Sequence, residues 1–204
     1  KNMLLENAIT PIQQYGYTTG KNATDSAMII DAMDILYSEK VDGFCLVSSD
    51  SDFTRLATRL REAGMKVYGI GEKKTPSPFI VACDKFIYIE ILKNLVEEST
   101  LESTDKKASS KNNYDNITEK DIKLIATTID DVADDDGWAF LGDVGSLLQK
   151  KQPNFDSRNY GFQKLTPLIN SIPDFEIERR EDTKGRMKLI YVKTKEKKTK
   201  GRKR

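Results

Sequence analysis

One stretch, residues 42–53, constrains the fold more than any other, because an apolar run there ends abruptly at two hydroxyls and two carboxylates. Residues 44–47 show no polar alternation, which predicts a strand covered on both faces, as in a parallel sheet packed between helices. Asp50 and Asp52 follow just beyond the carboxyl end of this strand. In open α/β sheets, ligands bind at that edge. The stretch therefore predicts an α/β domain with a ligand site at the two acids.

Two acids this close repel each other, so the pair is stable mainly where a cation, a shared proton or a helix N-terminus compensates. One interpretation is a metal site. The other is local: Asp50 or Ser51 caps a helix that begins near Phe53, and the remaining acid is solvated. The residues alone leave both interpretations open.

Composition points to two units of different kinds. The chain has 204 residues, of which 38% are apolar, and residues 97–116 are almost entirely polar. Such a composition is typical of linkers. We therefore expect a first domain at 1–95, a flexible linker at 96–116, a second domain at 117–194 and a basic tail at 195–204.

Other features of the composition limit the chemistry. The chain contains no histidine, which excludes histidine-based zinc sites, histidine general bases and Ser-His-Asp catalysis. Cys45, in the predicted buried strand, and Cys83, after an apolar run, are typical of a reduced protein rather than of a disulfide framework. No stretch approaches the roughly 18–20 apolar residues of a membrane span, and no signal-peptide pattern opens the chain. We expect a cytoplasmic protein with no membrane partner.

The first domain shows helices alternating with strands. An α/β domain usually opens with a buried strand, and none precedes the first helix, so we expect a parallel-sheet domain that lacks its first strand. In the helix predicted over 24–37, the expected buried residues are Ala27, Ile30, Met33, Ile35 and Leu36. The other predicted elements are a helix ending near Ile9, a strand at 13–18, a helix at 53–63 capped by Gly64, a strand at 65–70, a helix at 79–82 and a strand at 86–91.

The second domain shows three helices followed by a hairpin, which is the winged-helix order. Thr118 and Asp121 resemble a capping box at the start of the first helix. We expect a second helix after Trp138, and a third that is capped by residues 154–157 and carries Tyr160. The predicted hairpin strands are 175–180 and 186–192. Winged helices bind nucleic acid or protein.

Several motifs resemble a known family. Within residues 1–92 they are Gly20-Lys21-Asn22-Ala23-Thr24-Asp25, Ile30-Asp31-Ala32-Met33-Asp34 and Leu46-Val47-Ser48-Ser49-Asp50-Ser51-Asp52-Phe53. Together they resemble an NYN domain of the LabA-like branch, within the PIN-like nuclease superfamily. The second domain resembles an OST-HTH domain, also called LOTUS, a winged-helix RNA-binding module. That likeness rests on Trp138, Leu141-Gly142, Phe155-Asp156, Tyr160-Gly161 and the strand beginning at Phe175.

The resemblance implies that Asp25, Asp50 and Asp52 gather around one or two Mg²⁺ or Mn²⁺ ions and hydrolyse RNA. Carboxylate oxygens suit these hard ions, which activate water and offset charge on a phosphate. Ser48 and Ser49 are expected to orient a phosphate or a water. The family also places an Asp at the end of the first strand, which is missing here, so we expect that the chain is N-terminally truncated and that the full-length form is the ribonuclease. This departure supports an alternative, a non-catalytic RNA-binding adaptor with a degenerate nuclease fold.

A different enzyme class is the main rival. Residues 50–54 also fit the Asp-x-Asp-x-Thr motif of haloacid dehalogenase-type phosphatases. Those enzymes need a later pair of acids at a strand end, whereas Cys83-Asp84-Lys85 offers a single Asp. A receiver-like domain phosphorylated on Asp50 lacks the acidic pair expected after its first strand. Both fit less of the chain than the nuclease does.

RNA is the expected partner. Lys21, Lys73 and Lys74 are expected to hold its backbone near the acids, because carboxylates alone repel a polyanion. Residues 193–204 hold eight Lys or Arg, whereas residues 130–136 hold five Asp, so the binding face should lie away from those acids. The alternative is that the winged unit docks a protein. The expected RNA-binding residues of the second domain are Arg158, Lys164, Lys184, Arg186 and Lys188.

Overall fold

The computed structural model describes residues 2–15, 23–92, 116–181 and 188–195. The elements before residue 93 form one group around a parallel sheet. Its helices are α1 (Asn2–Glu6), α2 (Ala23–Tyr37), α3 (Thr54–Glu62) and α4 (Ser77–Ala82). Its strands are β1 (Gly43–Val47), β2 (Lys66–Gly71) and β3 (Lys85–Tyr88).

The strands pair in parallel in the order β1-β2-β3, with Phe44 beside Val67 and Gly69 beside Phe86. This confirms the predicted parallel sheet. Gly64 takes a φ of +84° after α3, which favours glycine and turns the chain into β2. The three strands therefore present their carboxyl ends at one edge.

The expectation that β1 is covered on both faces is wrong. Successive side chains of a strand point to opposite faces, and Leu46 is 4% exposed whereas Val47 is 62% exposed. Cys45 shares the open side with Val47 and is exposed too, so its predicted burial is also wrong.

The expected packing of α2 needs a similar correction. Its buried residues are Ala32 and Leu36, whereas Ile30 is 59% and Ile35 45% exposed. The helix is apolar on most of its circumference, so helical periodicity alone does not identify the buried face. In contrast, α3 buries Leu56, Ala57 and Leu60 as predicted, because its apolar residues form a single stripe.

The elements after residue 115 form the second group, with its own core. A capping box joins Thr118 and Asp121 at the start of its first helix, as predicted. The elements are α5 (Glu119–Val132), β4 (Ala139–Phe140), α6 (Leu141–Lys151), α7 (Leu165–Asn170), β5 (Phe175–Glu181) and β6 (Lys188–Thr194). The strands pair antiparallel in the order β4-β6-β5, and the three helices precede the β5-β6 hairpin, which confirms the winged-helix prediction.

Three local predictions differ from the structure. The predicted third helix is split into a 3₁₀ turn, Ser157–Tyr160, and α7, because Gly161 adopts a φ of +81° between them. The strand predicted at 86–91 ends at Tyr88. Residues 13–15 form no strand, and the rest of the strand predicted at 13–18 lies outside the described residues.

None of the described helices combines the length and the apolar character that crossing a membrane requires.

Candidate functional site

Three carboxylates converge at the carboxyl end of β1. Asp25 lies in the first turn of α2, Asp50 follows β1, and Asp52 lies in the 3₁₀ turn Ser51–Phe53. One carboxylate oxygen of each residue lies within 4.8 Å of those of the other two. Asp25 is half-buried, and the other two acids are exposed. The fold thus brings together the three acids that the sequence singled out.

Asp50 also has a local structural role. Its Oδ1 accepts a hydrogen bond from the backbone N–H of Asp52 at 2.9 Å and caps the 3₁₀ turn. Its own N–H donates to Ser48 Oγ at 3.1 Å. A carboxylate has about four lone-pair positions, so capping through Oδ1 leaves Asp50 able to bind a cation. The local and metal interpretations of the sequence are therefore compatible.

Ser49 ties the acidic site to the loop that follows β2. Its Oγ accepts the backbone N–H of Glu72 at 2.8 Å, while Ser48 N–H extends the sheet by donating to Ile70 O at 2.9 Å. A Cβ on Gly71 would lie 2.5 Å from Ser48 O, so only glycine permits this approach. Both serine hydroxyls thus position the backbone, and each keeps a proton that it can donate.

The two predicted loop lysines have defined surroundings. Lys74 Nζ lies 2.6 Å from Glu72 Oε2, and this hydrogen bond raises the pKa of the lysine. The backbone N–H of Lys73 donates to Glu90 Oε1 at 3.2 Å. Lys21 lies outside the described residues. Of the predicted lysines near the acids, Lys74 is therefore already engaged by a carboxylate of its own loop.

Asp31 does not join the acidic cluster. It lines a separate cavity of about 490 Å³ between α2, β1 and residues 12–14. Six residues at 100° each place it about 240° around the helix from Asp25. This residue therefore provides a carboxylate on the same helix that is outside the candidate metal site.

In the second domain, Arg158 is held by Asp156. Its Nε and Nη2 donate to the two carboxylate oxygens at 2.9 and 2.6 Å. Burial acts to raise the pKa of Asp156, but the hydrogen bonds from Arg158 outweigh it and lower that pKa. The same pairing raises the pKa of the guanidinium. The positive charge of Arg158, a predicted RNA-binding residue, is therefore already neutralised by Asp156.

The other predicted RNA-binding residues are less constrained or lie outside the described ranges. Lys164 is exposed just before α7. Lys188 begins β6, where it pairs with Glu181 in the ladder. Lys184 and Arg186 fall between β5 and β6, outside the described residues.

Sequence reasoning missed an aromatic cluster on the hairpin. The guanidinium of Arg180 lies 5.2 Å from the ring centroid of Trp138 and 4.4 Å from that of Tyr191. Its Nη2 also lies 2.9 Å from Glu178 Oε2. Arg180 and Glu178 share one face of β5 because strand side chains alternate. The spacing of Glu178 and Arg180 in the sequence indicates that they lie on one face of the strand. The position of Trp138 beside the hairpin, however, depends on β4, which was not predicted.

A groove crosses the same domain between α6, α7 and β6. It has a volume of about 660 Å³, and Asp156 and Ser157 are among its lining residues. Apolar side chains such as Phe140, Leu165 and Ile190 line much of it.

Comparison with known proteins agrees with these two units. Residues 1–90 match the family model of the NYN domain, and residues 114–187 match that of the OST-HTH/LOTUS domain. A search of curated proteins finds no match. The chain is similar to the solution NMR structure of an uncharacterised protein of Nitrosomonas europaea, with 34% identity over 47% of this chain and 96% of that one. The TM-score of this match is 0.36.

The first matched range covers the parallel-sheet group, and the second covers the winged-helix group through β5. The acidic cluster lies within the first range. The chain is therefore an NYN-domain protein that carries a C-terminal OST-HTH/LOTUS domain, a nuclease-like fold joined to an RNA-binding module.

Proposed function

We propose that this protein is a Mg²⁺- or Mn²⁺-dependent ribonuclease whose OST-HTH domain binds the RNA. One observation carries the proposal: carboxylate oxygens of Asp25, Asp50 and Asp52 lie within 4.8 Å of one another at the sheet edge of an NYN domain. Three like charges at this spacing repel, and a divalent cation compensates them best.

The donor set fits such a cation. All three ligands are hard carboxylate oxygens, the type that Mg²⁺ and Mn²⁺ prefer, and the described cluster contains no thiolate. Two of the acids are exposed, so water and a phosphate can complete the coordination. A bound divalent cation supplies an activated water and offsets the negative charge that develops at the phosphodiester.

The protein's own groups prepare the site. The backbone N–H of Asp52 donates a hydrogen bond to the Asp50 carboxylate, so the orientation of this carboxylate does not depend on a bound ion. Ser49 Oγ accepts the Glu72 N–H and keeps its own proton to donate to a phosphate oxygen. Lys73 stands in the adjoining loop, where its positive charge attracts the RNA backbone.

Cleavage of a mixed-sequence single-stranded RNA in Mn²⁺ or Mg²⁺ tests the catalytic proposal. We expect cleavage to stop in EDTA and in Asp50→Asn, which retains the capping oxygen but loses the charge. Asp31→Asn is the matched control, since it removes a carboxylate of α2 outside the cluster, and it should cleave as the parent does. Activity that survives EDTA or Asp50→Asn would refute the proposal.

The same experiment separates the nuclease from its alternatives. Mn²⁺ binding at the three acids without any cleavage would support the RNA-binding adaptor instead. A phosphorylated Asp50 trapped with a small phosphate ester would support the phosphatase, because hydrolysis by an activated water forms no covalent intermediate.

The RNA-binding role of the second domain is tested by charge reversal. Lys164 is exposed near the groove, and Lys123 is exposed on α5. We expect Lys164→Glu to weaken RNA binding and to reduce its salt dependence, because it removes a phosphate contact. Lys123→Glu introduces the same change in charge on another element. Equal weakening in both variants would show nonspecific attraction rather than a binding face.

A further inference from the structure

The free edge of β3 meets the second domain. Among the described strands, β3 pairs with β2 alone. On its other side, the Phe86 N–H donates to the carbonyl of Pro153 at 2.9 Å. Pro153 is buried and lies just beyond α6 in the OST-HTH domain. An open strand edge exposes backbone groups that need partners, and here one partner comes from the other domain.

A second hydrogen bond lies two residues farther along the strand. Asn154 Nδ2 donates to Tyr88 Oη at 2.8 Å. The carbonyl of Asn154 accepts from Asn159 Nδ2 at 3.2 Å, and Asn159 is buried, with 6% exposure. On the other side, the Tyr88 ring packs edge-on against Phe86 at 5.7 Å. Each partner of the contact is therefore also held by a contact within its own domain.

Charge complementarity adds to these two bonds. Burial opposes ionisation of Asp156, but Arg158 and, more weakly, Lys85 of β3 lower the pKa of this carboxyl. Lys85 precedes Phe86 in the strand, and Asp156 follows Asn154 by two residues. Opposite charges therefore lie on the two sides of the contact.

We propose that the two domains dock through this contact, with residues 153–156 of the OST-HTH domain covering the edge of β3. The covalent connection makes the association intramolecular, which raises the effective concentration of each domain at the other. A small polar contact can then hold the domains together. The docked edge is two strands from β1, about 10 Å away at ordinary strand spacing. Docking therefore leaves the acidic cluster open, and it does not depend on the proposed catalysis.

The full chain tests this inference by NMR. If the domains are docked, ¹⁵N relaxation gives both the same rotational correlation time. The Phe86 amide should exchange slowly with solvent, and Asn154→Ala should accelerate that exchange roughly fivefold, the effect of losing one hydrogen bond of typical net strength.

Charge reversal provides a second, independent variant. Lys85→Glu places a carboxylate opposite Asp156 and should separate the two correlation times. Lys123→Glu, on the exposed side of α5, is the matched control and should leave them equal. Two different correlation times in the unmodified chain would overturn the inference. So would Phe86 exchange and correlation times that remain unchanged in both Asn154→Ala and Lys85→Glu.

Discussion

Replacing Asp50 by Asn should reverse the order of stability between variant and parent when a divalent cation is added. Without the ion, the three carboxylates of the cluster only repel one another, so removing one charge stabilises the domain. With the ion bound, the same charge is part of the binding site, so its removal destabilises the domain. The reversal follows from electrostatics alone and does not require catalysis.

The size of both effects can be estimated. The carboxylate oxygens lie within 4.8 Å of one another, and at that upper limit two unit charges repel by about 0.9 kcal/mol in a water-like dielectric, which physiological salt reduces to about 0.5 kcal/mol. Asp50 takes part in two such pairs, with Asp25 and with Asp52. In EDTA, Asp50→Asn should therefore raise the free energy of unfolding by about 1 kcal/mol. Asn caps as well as Asp does, so the substitution costs the 3₁₀ turn little stability. At a concentration of 100 Kd, the ion stabilises the parent by about 2.7 kcal/mol.

Thermal unfolding followed by far-UV circular dichroism measures these changes. In EDTA, the first domain of Asp50→Asn should melt about 4–8 °C above the parent, the usual shift for about 1 kcal/mol in a domain of this size. In saturating Mn²⁺ the parent should melt higher. The chain has a single Trp, Trp138, so its fluorescence reports on the second domain and should not change.

Asp31→Asn is the control, because it removes an acid of the same helix outside the cluster. It should respond to Mn²⁺ as the parent does. If Asp50→Asn melts at a lower temperature than the parent in EDTA, or if Mn²⁺ raises its melting temperature as much as that of the parent, the three carboxylates do not form one electrostatic unit.

Three further predictions concern local chemistry. Cys45 is exposed, whereas burial raises the pKa of Cys83 to about 11, so iodoacetamide at pH 8 should modify the first thiol and spare the second, as peptide mass spectrometry will show. Arg158→Ala should lower the free energy of unfolding by about 1–3 kcal/mol in urea, because it leaves the half-buried Asp156 carboxylate without its partner. Since the folded-state pKa of Asp156 lies below its ordinary 3.8, this difference is fully present above that pH and disappears as the pH falls through the folded-state value. Thr118→Ala removes the capping box and should cost about 1 kcal/mol in the same urea titration.

Local patterns predicted those features that depend on neighbouring residues. The apolar stripe of α3 and the capping box at Thr118 need only residues within one or two turns. The meeting of Asp25 with Asp50 was expected only from the family resemblance. It results from the parallel sheet, which sets the end of β1 beside the first turn of α2.

Features that depend on distant residues could not be predicted in this way. The buried side of α2 is chosen by what packs on it, since its apolar residues nearly surround the helix. The hydrogen bond between Asn154 and Tyr88 joins residues 66 positions apart, and no local pattern specifies that contact. The break at Gly161 was misread because the apolar positions on both sides still match helical spacing.

With one divalent cation bound, the three carboxylates still leave the acidic site with a net negative charge, and Lys74 is paired with Glu72. Lys73 therefore supplies only part of the attraction for RNA. The attraction must come largely from elsewhere in the chain. Residues 195–204 hold seven Lys or Arg and one Glu.

We expect removal of residues 195–204 to reduce the slope of log K against log salt by up to about 4 for single-stranded RNA, at about 0.7 per phosphate neutralised. Cleavage at saturating RNA should not change, because the carboxylates remain. Fluorescence anisotropy at several salt concentrations measures the slope, and single-turnover cleavage measures the rate. An unchanged slope would place the attraction on the folded domains, and a lower rate at saturation would mean that the tail acts in the cleavage step.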